Sequence, residues 1–488
     1  MTDISANHTA AEAFLAAERQ VELKSARLKK ELKLRDLVFA QIAYIVGWAW
    51  LGYAARLGPG HLLYWLPAVL LFYIPSGIVV LHLSSEMPLE GGIYQWVKLR
   101  LGALPGFLVG LNLWATVTLL LVGYSSTLSN ELSYFAGPGH EWITENRLVT
   151  MAIGAILTGT LVLVVRRGLV LGKWFQNVAG ILLFGIFLTM VLFALPRWLG
   201  IGAAVAGAPI GLVLPATTLM NLNLLGKMGF AAFCGLDGSS IFSGECRDPD
   251  TVRTIRRSIW VAGPIIAAIY IVGTACVITF TAPHAIDMTT PAIQAISRAA
   301  HDAGIASFIV PLVTASAIAT TLGVATLYFN IATRLPMVAG WDHLLPAWLS
   351  RLHPRFGTPT GSIFFIGVIA IVVTVLANLG VDGQEAFQTS INAGLICWAL
   401  TYIAMFCIPL FGKGEKAPTS VRIAAASGLA MTVLFAALSI FPAIAVKNPA
   451  LFTTKVGGVV LALNLAGAVY FHRVRRFANS EEREAIIA

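Results

Sequence analysis

Charge is what this sequence has little of. Asp, Glu, Lys and Arg make up 12% of its 488 residues, against 57% hydrophobic, where a soluble domain carries about 25% charged residues. Mean hydropathy is +0.79. That excludes a soluble globular protein and a disordered chain. Cysteine is scarce too. Cys234, Cys246, Cys276, Cys397 and Cys407 lie in or at the ends of apolar runs, without metal or redox spacing. The histidines sit mostly in loops, and no pair has ligand spacing beside an acid or cysteine, so no metal is expected. No segment alternates polar and apolar residues as barrel strands do. A GxxxxGK[ST] loop is missing, which removes support for primary pumping, and no cofactor is implied. No cleavable signal peptide is expected: residues 1–36 are polar and charged, and the first apolar run is too long for a signal core.

What the chain does have is length of apolar run. A helix needs about 20 apolar residues to cross a bilayer. Twelve runs qualify: 37–56, 63–83, 106–130, 148–165, 173–195, 228–246, 258–281, 306–332, 361–379, 387–411, 420–441 and 451–471. The expected fold is an all-α membrane protein of twelve transmembrane helices. With the amino terminus inside, 26 basic residues fall on the cytoplasmic side and 7 outside, the latter including Lys227. Such a split is a positive-inside signal. It places both termini in the cytoplasm of a multi-pass plasma-membrane protein (the inner membrane of a bacterium), and it explains the net charge of +9 without nucleic acid. The basic stretch from Lys24 to Arg35 reads as a solvated cytoplasmic helix, with attraction to anionic membrane lipid as the alternative. Residues 199–226 carry no charge and could pass for a further span. Crossing there would move the later basic loops outside, so the segment is read as an external connector.

The most informative stretch is Phe230 to Pro249, FAAFCGLDGSSIFSGECRDP. Asp237 sits inside it, and no other carboxylate lies deep in an expected span. An acid at mid-membrane costs about 2.5–3.5 kcal/mol on insertion scales. Gly235 and Gly238 flank it, and Ser239 and Ser240 follow. This is the composition of a helix that breaks, and irregular backbone at membrane depth survives only inside protein or beside a water-filled cavity. Asp237 therefore reads as part of a solute or ion pathway rather than as packing alone. The first span is interrupted as well, at Gly47 and Gly52, with Trp48, Trp50 and Tyr53 between and beside them. Two interrupted helices, five spans apart, suggest two inverted repeats of five helices. In the eighth span Thr320 and Thr321 are adjacent. Two neighbouring hydroxyls either help coordinate a hard cation such as sodium or bond to the preceding helical turn. At 84–102, Pro88, Gly91 and Gly92 mark a tight cytoplasmic turn, Glu86 and Glu90 are placed to hold helix ends, and Tyr94 and Trp96 fit the membrane boundary. The last two spans have few polar residues and read as scaffold or the surface of a homodimer.

These motifs resemble the amino acid permeases of the amino acid–polyamine–organocation superfamily. The resemblance is carried by Pro88-Leu-Glu-Gly-Gly-Ile-Tyr94, by Phe233-Cys-Gly-Leu-Asp237 through Gly244-Glu-Cys-Arg-Asp-Pro249, and by Arg334-Leu-Pro to Gly340-Trp-Asp-His-Leu-Leu-Pro346 with Pro354-Arg-Phe-Gly-Thr-Pro359. It runs from about Lys33 to Phe411 and implies the inverted-repeat fold shared with the leucine transporter. The organisation is then a cytoplasmic segment 1–36, a first repeat 37–195, an external connector 196–227, a second repeat 228–411, two further spans in 412–472 and a tail 473–488. The implied ligand is an amino acid or amine, held where the first and sixth helices break. The matching positions are Val46, Gly47, Trp48, Ala49, Ala231, Cys234 and Gly235, with Phe230 or Phe233 as aromatic cover. Asp237 matches an acid implicated in coupling or in recognition of basic substrates. Some proton-coupled members carry a fifth-span lysine, and Leu183 stands in its place here. That leaves a sodium site at Thr320 and Thr321, proton use by Asp237, or uncoupled exchange. A membrane enzyme lacks a constellation of base, nucleophile or metal in the spans, and a channel or sensor lacks a filter motif.

Overall fold

In hydrocarbon every backbone N–H and C=O must be satisfied inside the protein, which leaves an apolar chain the choice of helix or closed barrel. This chain takes the first. The computed structural model describes residues 30, 32–89, 91–201, 205–213, 218–241, 246–248, 250–341, 344–378, 383–442 and 448–477. The amino-terminal residues 1–29, Glu90, the motif residues 242–245 and Pro249, and the tail from 478 lie outside them. Among the described residues no strand forms, and two isolated bridges join Leu32 to Cys246 and Leu352 to Pro359.

The first span is α1, Leu34–Ile45, followed by α2, Trp48–Ala55. Then come α3 (Gly58–Glu86), α4 (Ile93–Leu101), α5 (Ala103–Ala136), α6 (Arg147–Arg166) and α7 (Leu169–Trp198). The sixth span is α8, residues 219–231, then an irregular stretch and the short α9, Gly238–Ile241. The remainder is α10 (Thr251–Phe280), α11 (Pro291–Asp302), α12 (Ala306–Trp341), α13 (Thr360–Asn378), α14 (Gly383–Phe411), α15 (Thr419–Ser439) and α16 (Pro449–Phe477). Among the described residues ten helices are long and apolar enough to cross a membrane, and α1 with α2, bent by 44° at their break, make an eleventh candidate.

Large apolar side chains remain exposed on the outer helices. Leu148, Ile156 and Leu163 of α6, Val368 and Leu376 of α13, and Leu461 and Leu465 of α16 are examples. In water such surface promotes association; against lipid it matches its solvent. The chain is a multi-pass membrane protein. Inside, helices approach closely where a side chain is absent. A Cβ on Gly323 of α12 would collide with Ala179 Cβ and lie 2.7 Å from Phe175 O of α7. Some polar groups in the interior pair across helices, as with Asn112 of α5 and Asn464 of α16, whose amides donate to each other at 2.6 and 3.1 Å.

Three expectations are corrected by this packing. Tyr94 and Trp96 are fully buried, because α4 packs onto α5 and the Trp96 ring N–H reaches Met87 O at 2.8 Å. The helix entering the sixth-span break starts at Leu219, inside the segment read as connector. It therefore carries Lys227, counted above as an external charge, into the protein. There the residue is 1% exposed.

Candidate functional site

A helix break leaves backbone donors and acceptors without intrahelical partners. At the first break Val46 and Gly47 are extended, with ψ of 110° and 123°. Tyr270 of α10 spans the gap. Its hydroxyl accepts from the Gly47 N–H at 3.1 Å and donates to Ile45 O at 2.6 Å. Tyr328 of α12 donates to Tyr44 O at 2.8 Å. The second break uses the same device. The Tyr402 hydroxyl of α14 accepts from the Gly235 N–H at 2.7 Å and donates to Asp237 Oδ1 at 2.6 Å. Gly235 has φ +121°, a conformation that suits glycine. A Cβ there would lie 2.7 Å from the Tyr44 ring, so the ring of the first span rests on the bare backbone of the sixth.

Between the breaks lies a cavity of about 150 Å³. Val46, Gly47, Trp48, Ala49, Ala231, Cys234, Thr320 and Thr321 all line it. Phe230, Phe233, Gly235 and Asp237 stand behind its wall. Phe230 stacks on Phe435 at 4.7 Å and meets Phe72 and Tyr402 edge-on. Phe233 stacks on Tyr73 at 4.6 Å and meets Trp65 and Tyr270 edge-on. Asp237 is fully buried, and its Oδ2 has no hydrogen-bond partner among the described residues. The Thr320 hydroxyl donates back to Ser316 O at 2.8 Å, whereas that of Thr321 donates to Glu131 Oε1 at 2.8 Å.

A second, water-sized pocket of about 20 Å³ lies toward the end of α1 that charge placement assigns to the cytoplasm. It is lined by Asp36, Gln41, Gln176, Gly235 and Gly238, among others. Tyr44 borders both pockets. Its ring is held by Tyr328 at 4.5 Å and Trp398 at 5.4 Å. Bonds that tie down this end of α1 include Asn177 to Asp36 at 2.8 Å, Gln41 to Ser258 at 3.3 Å, and the Arg247 N–H to Leu32 O at 2.9 Å.

Two charged residues escaped the sequence reading. Glu131 belongs to α5, one residue past the expected end of that span, and is 1% exposed. Asp237 is thus not the only buried acid among the spanning helices. Its sequence signal is periodicity: Leu120, Gly123, Tyr124, Thr127 and Glu131 all line the cavity, at the spacing of one helix face. Lys227 is the other. Its Nζ donates to Asn392 Oδ1 at 2.9 Å and lies 5.9 Å from the rings of Tyr53 and Phe435. Among the described residues no group of three or more His, Cys, Asp and Glu could hold a metal ion.

Comparison with known proteins decides the family. The model of a family described as "Amino acid permease" matches residues 32–469, nearly the whole chain. This chain belongs to the amino acid permease family. Its relatives are transporters rather than enzymes. The methylthioribose transporter of Bacillus subtilis is 25% identical over 434 residues, covering 82% of this chain and 85% of that one. An uncharacterized transporter of Mycobacterium tuberculosis is 26% identical over 366 residues, 74% of this chain and 77% of that one. The probable agmatine/putrescine antiporter of Lactococcus lactis is 20% identical over 380 residues, 77% and 78%. For this permease, then, an aromatic-walled cavity set between two broken helices is where a solute site is to be sought.

Proposed function

We propose that this permease is a secondary transporter of amino acids or related amines that works by alternating access, with the cavity between the two breaks as its substrate site. The observation that carries the reading is the meeting of both breaks on one cavity, with Tyr44 closing it toward the smaller pocket. Half-helix ends are natural partners for charged solute groups: the α2 amino terminus at Trp48 and Ala49 favours a carboxylate. The architecture proposed is twelve spans, two inverted repeats of five and two carboxy-terminal helices. Both termini are cytoplasmic in that arrangement. Opening toward the cytoplasm requires α1 to release its bonds to α7 and α10 and Tyr44 to leave the backbone of Gly235 and Gly238. Asp237, joined to the sixth-span break through Tyr402, is the proposed coupling group. Exchange without ion coupling is the second reading. It is favoured by Leu183 at the place of the family's lysine, and it suits the name of the antiporter relative.

The test is uptake of labelled amino acids and amines by purified protein in liposomes. Sodium and proton gradients are imposed separately, and unlabelled solute is trapped inside in a third arm. Saturable uptake driven by a gradient or by internal solute is expected. Flux that neither saturates nor shows counterflow would replace the carrier by a channel.

A further inference from the structure

Among the described residues the cavity has one carboxylate on its wall, and it is not the acid the sequence singles out. Asp237 lies behind the wall with one oxygen committed to Tyr402. Glu131 lines the cavity. It is 1% exposed, its Oε1 takes a hydrogen bond from Thr321 at 2.8 Å, and its Oε2 has no hydrogen-bond partner among the described residues. None of the described lining residues is Lys, Arg or His. The buried Lys227 donates to Asn392, 5.9 Å from the Tyr53 ring, and does not line the cavity. A carboxyl oxygen held out of water without a partner is costly, and a ligand that supplies donors and positive charge removes that cost.

The rest of the wall suits the same ligand. Trp48, Trp50, Tyr124, Tyr328 and Trp398 all face the cavity. Aromatic faces attract cations, tryptophan most strongly, and do so better where water is excluded. The α2 amino terminus at Trp48 and Ala49 can take the carboxylate of a zwitterion, but a ligand with no positive group would leave Glu131 unmatched.

We infer that Glu131 holds the ammonium group of the transported solute within this aromatic wall, and so selects amines and zwitterions against anions. Thr321 is its positioning residue, fixing Oε1, while Oε2 is the oxygen left for the ligand's donors. The assignment rests on the cavity being the transport site, and it moves recognition of positive charge from the helix breaks to α5.

The test is equilibrium binding to the purified full-length protein, with probes matched in side chain. For each of alanine, leucine and phenylalanine the amino acid is compared with its decarboxylated amine and its deaminated acid. Wild type is expected to bind amine or amino acid in at least one set and the deaminated acid in none. Glu131→Gln, which keeps the shape and removes the charge, is expected to weaken amine binding by about ten- to a hundred-fold, the range for a hydrogen bond to a charged group. Should a deaminated acid bind as tightly as its amine, or the Gln variant keep full amine affinity, the inference is overturned and the transport reading stands. If no probe binds wild type, both are overturned. The wild-type arms do not depend on the variant folding.

Discussion

At the scale of single residues, two tyrosine hydroxyls decide whether the broken spans are tolerable. Each satisfies a backbone N–H at a break and donates to an oxygen nearby. Tyr402→Phe strands the Gly235 N–H and Asp237 Oδ1 together. A buried group left unpaired costs about 1–3 kcal/mol, so this variant is expected to melt several degrees lower in detergent; an unchanged melting temperature would show that water replaces the hydroxyl. Gly235→Ala combines an unfavourable φ, worth about 1–3 kcal/mol, with a clash against Tyr44. It is expected to insert in the membrane yet exchange solute at least several-fold more slowly, measured by counterflow. Asp237→Asn keeps the size and a hydrogen-bonding oxygen, so insertion should survive while transport or its pH dependence is impaired; normal transport at every pH would remove Asp237 from coupling. The glycines and Asp237 were legible because each contradicts an otherwise apolar helix. Glu131 was not, because apolar composition fades gradually at a helix end and the apolar run stops at residue 130. The helix itself continues to Ala136, a length of roughly 50 Å.

At the scale of elements, hydropathy marks spans well and their ends poorly. The runs expected at 148–165, 361–379 and 420–441 coincide with α6, α13 and α15 to within about two residues, since both ends of each are marked by polar residues, Gly or Pro. The helix of the sixth span starts at Leu219, ahead of the run that begins at 228. Leu219 to Gly226 is apolar but flanked by an uncharged Gly- and Pro-rich segment, so nothing in composition separates connector from helix. Lys227 also misled the reading, because burial of an unpaired lysine depends on Asn392, 165 residues away, which no local pattern reveals. Element packing yields a further expectation. Asn177→Ala removes the bond that ties Asp36 of α1 to α7. The end of α1 should release more readily, raising protease access near Leu37, or thiol-reagent access to a cysteine introduced there, by several-fold. Unaltered access would mean that this bond does not hold α1 shut.

At the scale of the whole molecule, helices facing lipid with Leu, Ile and Val enclose an aromatic-walled cavity that carries a few polar groups, Glu131, Thr320 and Thr321 among them. The class of protein follows from composition alone. The location of the cavity needs the three-dimensional meeting of spans far apart in sequence. The central claim is that this one cavity serves both sides of the membrane in turn, and Cys234 reports on it directly because it lines the cavity and is 2% exposed. With Cys246, Cys276, Cys397 and Cys407 replaced by serine or alanine, Cys234 would be labelled with a membrane-impermeant thiol reagent applied from outside or from inside oriented vesicles, with and without transported solute. The account predicts labelling from each side, slowed from both by bound solute. Labelling from one side only, whatever gradient or solute is present, would contradict it.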